Sequence, residues 1–165
     1  MSETGSEIGS GAASERPKGP APTPGYLVWR LANKWRVAVD QALAPLNLTH
    51  AQYVLLASLS GMERTGRPPS QRELADHTGL EALYVSKLAR ALESAGLVAR
   101  TRDTEDTRVV RLALTEEGRT TVRPAIDAVQ VLLDQLLASL GGLGDPRTTE
   151  LERTLTDLLD TPLDP

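Results

Sequence analysis

Residues 70–118 read SQRELADHTGLEALYVSKLARALESAGLVARTRDTEDTRVVRLALTEEG, and the order of elements in this stretch decides the fold. Ser70 and Glu73 form an S-x-x-E capping box, which predicts the start of a helix. Gly79 predicts the end of that helix, because glycine is favoured just past a helix C-terminus. A second helix is predicted from about residue 81 to residue 95. Its apolar residues recur at helical spacing and predict its buried face. They are Val85, Leu88, Ala89 and Leu92.

The opposite face of the second helix carries side chains that suit duplex DNA. The residues predicted to face outward are Leu83, Tyr84, Ser86, Lys87 and Arg90. Two cations, a hydroxyl, a phenol and an aliphatic group match the base edges and phosphates of a DNA groove. The sequence therefore indicates a helix-turn-helix whose second helix contacts DNA.

Two short runs of alternating apolar residues, 97–100 and 108–114, predict a β-hairpin directly after this helix. Its tip is predicted to be too charged to pack against the rest of the protein. Arg102 and Arg108 supply the cations of this tip, and an arginine there suits a narrow minor groove with its concentrated negative potential. Asp106 is expected to hold the Arg108 guanidinium in one orientation. A solvated turn is the alternative, but the position of the hairpin after a helix-turn-helix favours a wing that contacts DNA.

The sequence before this stretch predicts a tail and two helices. Residues 1–24 are rich in Gly, Ser, Pro and Ala with almost no large apolar side chain, so they are predicted to be a disordered tail. An amphipathic helix is predicted over residues 25–47. A T-x-x-Q capping box at Thr49 and Gln52 opens the next helix and begins a DNA-binding lobe over residues 49–115.

The sequence after the hairpin predicts two further helices. Thr115 is the expected cap of a helix that reaches about Leu140. Pro124 lies inside this helix and predicts a kink, because proline removes one backbone hydrogen bond. After a glycine-rich break, Asp145 and Pro146 are expected to begin the last helix.

The flanking helices, 25–47 and 116–161, carry more leucine surface than one small lobe can cover. We therefore expect self-association, most simply as a two-fold dimer, although an intramolecular bundle would bury the same side chains. The residues expected at the dimer contact are Leu27, Leu31, Val129, Leu133, Leu136, Leu140, Leu155 and Leu158. A symmetric pair would place its second helices in successive major grooves, roughly 34–36 Å apart, and read a near-palindromic operator.

The composition restricts the possible classes of function. The chain has 165 residues, 40% of them hydrophobic, which fits a single domain over residues 25–165 with an aliphatic core. It has no cysteine and two histidines far apart in sequence, so neither a metal site nor a cofactor is expected. No apolar run approaches the roughly 18 residues of a membrane span, so we expect a cytoplasmic protein without a membrane partner. The sequence offers no nucleophile–base arrangement and no phosphate-binding glycine loop, so an enzyme is not expected.

The charge distribution is compatible with DNA binding although the net charge is −4. Residues 64–111 contain nine Lys and Arg against seven Asp and Glu, whereas residues 145–165 contain two against six. Acidic residues are thus concentrated away from the predicted DNA-binding face. Because the positive field is modest, we expect short, specific contacts.

Several motifs, in this order and spacing, resemble those of the MarR (multiple antibiotic resistance regulator) family of bacterial transcription factors. They are QRELA at 71–75, SKL at 86–88, LESAGLV at 92–98, the wing pattern D-x-x-D-x-R at Asp103, Asp106 and Arg108, and L-T-x-x-G at 114–118. The resemblance implies a mainly α fold with a small β-hairpin wing (α+β). It further implies a winged helix-turn-helix, flanked by N- and C-terminal dimerisation helices, that associates with the nucleoid when bound to DNA. Leu83 and Tyr84 stand where the family usually has small hydroxylic or polar residues, so the preferred operator is expected to differ.

The resemblance also places an effector pocket between the dimerisation helices and the DNA-binding lobe. The candidate lining residues are Tyr26, Trp29, Arg30, Asn33, His50 and Tyr53. A ring beside a cation suits an aromatic or carboxylate compound, with Arg30 making the charged contact. Aromatic residues on a dimerisation helix also serve as plain packing, and Arg30 also suits a carboxylate of the protein itself.

The leading hypothesis is a homodimeric, sequence-specific repressor of transcription that is relieved by a small molecule. Ser86, Lys87 and Arg90 are expected to contact bases or phosphates in the major groove. Gln71 and Arg72 are expected to contact the DNA backbone. The alternative is a winged helix that serves as a protein–protein interaction module without specific DNA binding, and salt dependence separates the two.

Overall fold

The computed structural model describes residues 21–63 and 66–163, which form six helices and one two-stranded sheet. The helices are α1 (Pro24–Leu43), α2 (His50–Met62), α3 (Gln71–Thr78), α4 (Ala82–Ser94), α5 (Glu116–Leu137) and α6 (Pro146–Leu159). The strands are β1 (Val98–Arg102) and β2 (Val110–Leu114), paired antiparallel. Single 3₁₀ turns, Ala44–Leu46 and Ala138–Leu140, extend α1 and α5. The predicted mainly helical fold with a hairpin wing is confirmed. The predicted tail lies, up to residue 20, outside the described residues.

Side-chain caps fix where the helices begin, as predicted. Both capping boxes form: the Thr49 hydroxyl accepts from the Gln52 amide, and the Ser70 hydroxyl accepts from the Glu73 amide. Thr115 caps α5, and Asp145 caps α6 with proline at its first position. Each oxygen satisfies an amide that has no partner within its helix.

The core is aliphatic and lies between α2, α3, α4, the hairpin and the middle of α5. Leu55, Leu56 and Leu59 of α2 are fully buried and form its centre. The C-terminal part of α1 adds Val39 and Leu43 from one side. The core positions predicted on α4 are all buried. This packing positions α3, α4 and the hairpin as one lobe.

The two strand ends that flank the turn each lie two residues further along the chain than predicted. Val98 pairs with Leu114 and Arg102 pairs with Val110, so β1 is longer and β2 shorter than expected. The reason is the turn: the Asp103 amide donates to the Val109 carbonyl (2.9 Å), which places Arg108 in the loop and not in β2.

The single chain covers only part of the apolar surface of the flanking helices. Val129 was predicted at a dimer contact, but it is 7% exposed and packs inside the chain's own core, because α5 turns this face toward α1 and α2. Leu133, Leu136 and Leu140 are partly buried. The other predicted contact residues are 45–62% exposed. These are Leu27, Leu31, Leu155 and Leu158.

Helix α5 is continuous from residue 116 to residue 137 with Pro124 inside it, and the kink expected there stays a prediction. Within the described residues, none of the helices combines the length and hydropathy needed to span a membrane.

Candidate DNA-binding surface

Helix α4 presents its polar face to solvent at the edge of the lobe. Leu83, Tyr84, Lys87 and Arg90 are exposed, as predicted, whereas Ser86 is half-buried. Together with Glu81, the four exposed residues line a shallow cleft of about 510 Å³. The Arg90 guanidinium is held against Ser86, with Nη2 donating to the hydroxyl (3.0 Å) and Nε to the carbonyl (3.2 Å). This face therefore carries two exposed cations, one of which is oriented by a neighbouring residue of the same helix.

A second groove brings the first helix of the helix-turn-helix beside the wing. Gln71, Arg72, Ala82 and Arg108 all line it, and its volume is about 580 Å³. Arg72 is exposed and Gln71 is half-buried. The Gln71 Oε1 atom is buried and has no hydrogen-bond partner among the described residues. The structure thus gathers residues from α3, α4 and the hairpin on one side of the lobe.

The wing tip holds Arg108 in the orientation that the sequence predicted. Its Nε and Nη2 atoms donate to the two carboxylate oxygens of Asp106, each at 3.0 Å, and its own amide donates to Asp106 as well. These hydrogen bonds lower the pKa of Asp106 and raise that of Arg108, so both groups stay charged at neutral pH. The Arg108 side chain is 90% exposed, so its remaining N–H groups face solvent. Arg102 lies exposed at the end of β1.

The expectation that the whole tip is too charged to pack is wrong for Asp103. Its side chain is only 9% exposed and pairs with Arg111 and with Arg67, the latter at 3.2 Å. It also accepts from the amides of Glu105 and Asp106, and these bonds lower its pKa. Compensation by two cations and two amides makes burial of this carboxylate tolerable.

Arg111 connects this turn to the start of α3, a role that the sequence did not suggest. Its Nη1 atom donates to the Pro68 carbonyl (2.9 Å) and lies 3.4 Å from the Glu73 carboxylate. The Leu112 amide donates to the Pro69 carbonyl (2.9 Å), so β2 also bonds to the segment before α3. The wing is thereby fixed relative to the helix-turn-helix.

Glu63 forms a second junction that sequence reasoning missed. Its carboxylate accepts from the Leu114 amide (2.8 Å) at the end of β2 and from two guanidinium nitrogens of Arg119 (3.1 and 3.2 Å) in α5. The end of α2, the end of β2 and the start of α5 meet at this one side chain. The partners are 51 and 56 residues away from Glu63 in sequence, so no local motif predicts these contacts.

Among the residues that the structure describes in a single chain, the six candidate effector residues are not seen to line one common cavity. Tyr26 and Arg30 line an open groove with their α1 neighbours and Pro22, and Nη1 of Arg30 donates to the Tyr26 hydroxyl (3.0 Å). Trp29 stacks on Tyr26 and is 61% exposed, while Asn33 bonds to the Trp29 carbonyl. His50 and Tyr53 lie apart from this groove on α2, where burial lowers the pKa of His50 and raises that of Tyr53.

The amino-acid sequence is similar to those of known transcriptional regulators. The MarR family matches over residues 48–110. An uncharacterised HTH-type transcriptional regulator of Bacillus subtilis, YdcH, is 38% identical over 112 residues, which cover 68% of this chain and 76% of YdcH. The HTH-type transcriptional repressor Rv2887 of Mycobacterium tuberculosis is 34% identical over 134 residues, which cover 81% of this chain and 91% of Rv2887.

The fold is similar to that of a regulator solved on DNA. The transcriptional repressor CouR bound to a 23-mer DNA duplex superposes with a TM-score of 0.73 and is 29% identical. The match covers 88% of this chain and 99% of that chain, and CouR comes from Rhodococcus jostii RHA1. The similarity therefore spans the flanking helices as well as the lobe.

Proposed function

Because the chain belongs to the MarR family of DNA-binding transcriptional regulators, we propose that it is a repressor that binds a near-palindromic operator as a homodimer. Two of its relatives, Rv2887 and CouR, are named repressors, which supports this direction of control. The exposed leucines of α1 and α6 supply the surface for a second copy. We expect neither a catalytic site nor a cofactor for this role.

One observation carries the proposal: α3, α4 and the wing converge on one side of the lobe. Gln71 and Arg72 at the start of α3 and Arg108 at the wing tip share one groove, and the exposed face of α4 lies beside it. A helix in the major groove and an arginine in the adjacent minor groove require this arrangement. Lys87 and Arg90 contribute the phosphate or base contacts of α4, and Arg102 adds a cation at the base of the tip.

A small-molecule effector is the proposed signal for release from DNA. The groove beside Tyr26 and Arg30 has an aromatic ring and a guanidinium 5.7 Å from the ring centre, which suits an aromatic or carboxylate compound. An effector that binds better to a dimer with altered lobe spacing would shift the population away from the DNA-matched form.

Fluorescence anisotropy on DNA from upstream of the protein's own gene tests DNA binding. We expect tight binding to one fragment, and affinity that falls steeply between 50 and 200 mM salt because phosphate contacts release counterions. Arg108→Ala is expected to weaken binding about tenfold or more, which is typical for losing a groove-reading arginine at two symmetric sites.

Arg123→Ala is the matched control, because it removes the same charge from an exposed side chain of α5 that lies outside the proposed DNA-binding surface. Circular dichroism verifies that both variants are folded. Equal loss of affinity in the two variants would remove the wing from the proposal. If the folded dimer binds no upstream fragment at low salt, the protein–protein interaction module becomes the better account.

A further inference from the structure

Leu83 lies on the exposed face of α4. It is followed by Lys87 and Arg90 at spacings of four and three, so the three side chains form one ridge. This ridge lies opposite the buried stripe that includes Val85 and Leu92. Leu83 is 78% exposed, more than Tyr84 at 42%. In the described part of the lobe, residues 50–63 and 66–115, these are the only two large hydrophobic residues that are exposed to solvent.

An exposed leucine at this position has few possible partners in a DNA groove. Its side chain has no polar atom, so it gains nothing from phosphates or from the hydrogen-bonding groups of the base edges. The major groove displays one apolar substituent, the C5-methyl group of thymine. Contact with that methyl group is therefore the interaction through which Leu83 stabilises the complex with DNA.

The surroundings of Leu83 direct it toward bases and not toward the DNA backbone. The two ridge cations, Lys87 and Arg90, lie one and two turns further along α4, and Leu83 lies in its first turn. In helix-turn-helix proteins the N-terminal residues of the second helix contact base edges. Of the five residues that line the cleft, Glu81 alone is negatively charged. Its carboxylate repels phosphate and so disfavours a DNA phosphate beside this turn.

We propose that Leu83 is a specificity-determining residue that reads the C5-methyl group of one thymine in each operator half-site. This inference rests on the proposed function, since it needs a DNA operator. It predicts that affinity at one position depends on a methyl group and not on the hydrogen-bonding pattern of the base pair.

The test replaces single thymines of the operator with uracil, which removes the methyl group and preserves base pairing. For the wild-type protein we expect one position per half-site at which uracil weakens binding about fourfold, the effect of losing one buried methyl-sized group. Leu83→Ala is expected to bind the unmodified operator more weakly and to lose this sensitivity to uracil. At the same position, 5-methylcytosine paired with guanine is expected to bind better than cytosine paired with guanine.

Leu143→Ala is the matched control, because it truncates an exposed leucine in the loop before α6. It should retain the wild-type response to uracil. The inference is overturned if the wild type is indifferent to uracil at all positions, or if Leu83→Ala shows the same profile as the wild type. If the wild type binds the unmodified operator in either case, the proposed function stands while the inference fails. Absence of any operator binding overturns both.

Discussion

Gly118 lies where the start of α5 packs against the start of β1. The Thr115 amide donates to the Leu97 carbonyl (3.1 Å), and its hydroxyl donates to the Gly96 carbonyl (2.6 Å). A Cβ atom on Gly118 would lie 2.0 Å from the Leu97 carbonyl oxygen, which is backbone and cannot rotate away. The final residue of the L-T-x-x-G motif is therefore glycine for steric reasons.

We predict that Gly118→Ala lowers the free energy of unfolding by about 2 kcal/mol or more, as expected when an atom is forced into a filled site. Urea denaturation measures this change. Gly61→Ala is the matched control: it is also helical, and its added methyl group meets no atom within 4 Å. The control should be neutral or more stable by up to about 1 kcal/mol, the helix preference of alanine over glycine. Equal stability of the two variants would contradict the steric argument.

Glu73 connects the start of α3 to the hairpin. Its carboxylate accepts from the Ser70 amide (2.6 Å) and faces Arg111 of β2. The hydrogen bond from that backbone amide lowers the pKa of Glu73. A carboxyl group whose pKa is lower in the folded state stabilises the fold above its unfolded pKa, and this contribution disappears as the pH falls through the folded pKa.

We predict that Glu73→Gln reduces the loss of stability on acidification, because glutamine cannot take up that proton. The measurement is the free energy of unfolding at pH 7 and at about pH 3, compared between variant and wild type. Glu117→Gln is the control, since that exposed carboxylate accepts no hydrogen bond and makes no ion pair among the described residues. It should retain the wild-type pH dependence. A Glu73→Gln profile parallel to that of the wild type would exclude Glu73 as a source of acid sensitivity.

The sequence predicted elements best where the deciding contacts are local. Ser70 and Glu73 are three residues apart, and the helix they begin was placed correctly. The contact that no local motif indicated is the pairing of Asp103 with Arg67, which lies 36 residues away. The sequence did not predict the role of Glu63 for the same reason. Its partners in β2 and α5 are distant in sequence, and no local motif marks a glutamate at a helix end as their acceptor. Likewise, the periodicity of α5 revealed an apolar seam but not that Val129 serves the chain's own core.

Exposed apolar side chains are distributed unevenly over the described residues. Leu27 and Leu31 on α1 and Leu155 and Leu158 on α6 are about half exposed or more, whereas the lobe between these helices is largely polar outside. Several exposed large apolar side chains on two helices are more than the isolated ones of an ordinary protein surface, and they favour an association site. The proposed homodimer would cover it.

We predict that Leu158→Glu shifts the protein from dimer to monomer, because it places a charge in the proposed contact. Analytical ultracentrifugation measures the change, and anisotropy should show a large parallel loss of operator affinity. Leu83→Glu is the matched control, since it places the same charge on a leucine of α4 that is even more exposed, and it should remain dimeric. A dimeric Leu158→Glu would indicate that α6 is not part of the contact.

Thr115 is the single residue between β2 and α5, so the hairpin is joined to this long, rod-like helix by a very short linker. That rod has 22 residues and is about 33 Å long at 1.5 Å per residue. A tilt of about 5° displaces one end of such a rod by about 3 Å relative to the other, which is about half the width of a minor groove. The ion pair between Glu63 and Arg119 connects the N-terminal end of α5 to the lobe, so the lobe is expected to move together with this end of the helix. A change of tilt at the far end of α5 would therefore move Arg108 by a distance that grows with the length of this helix.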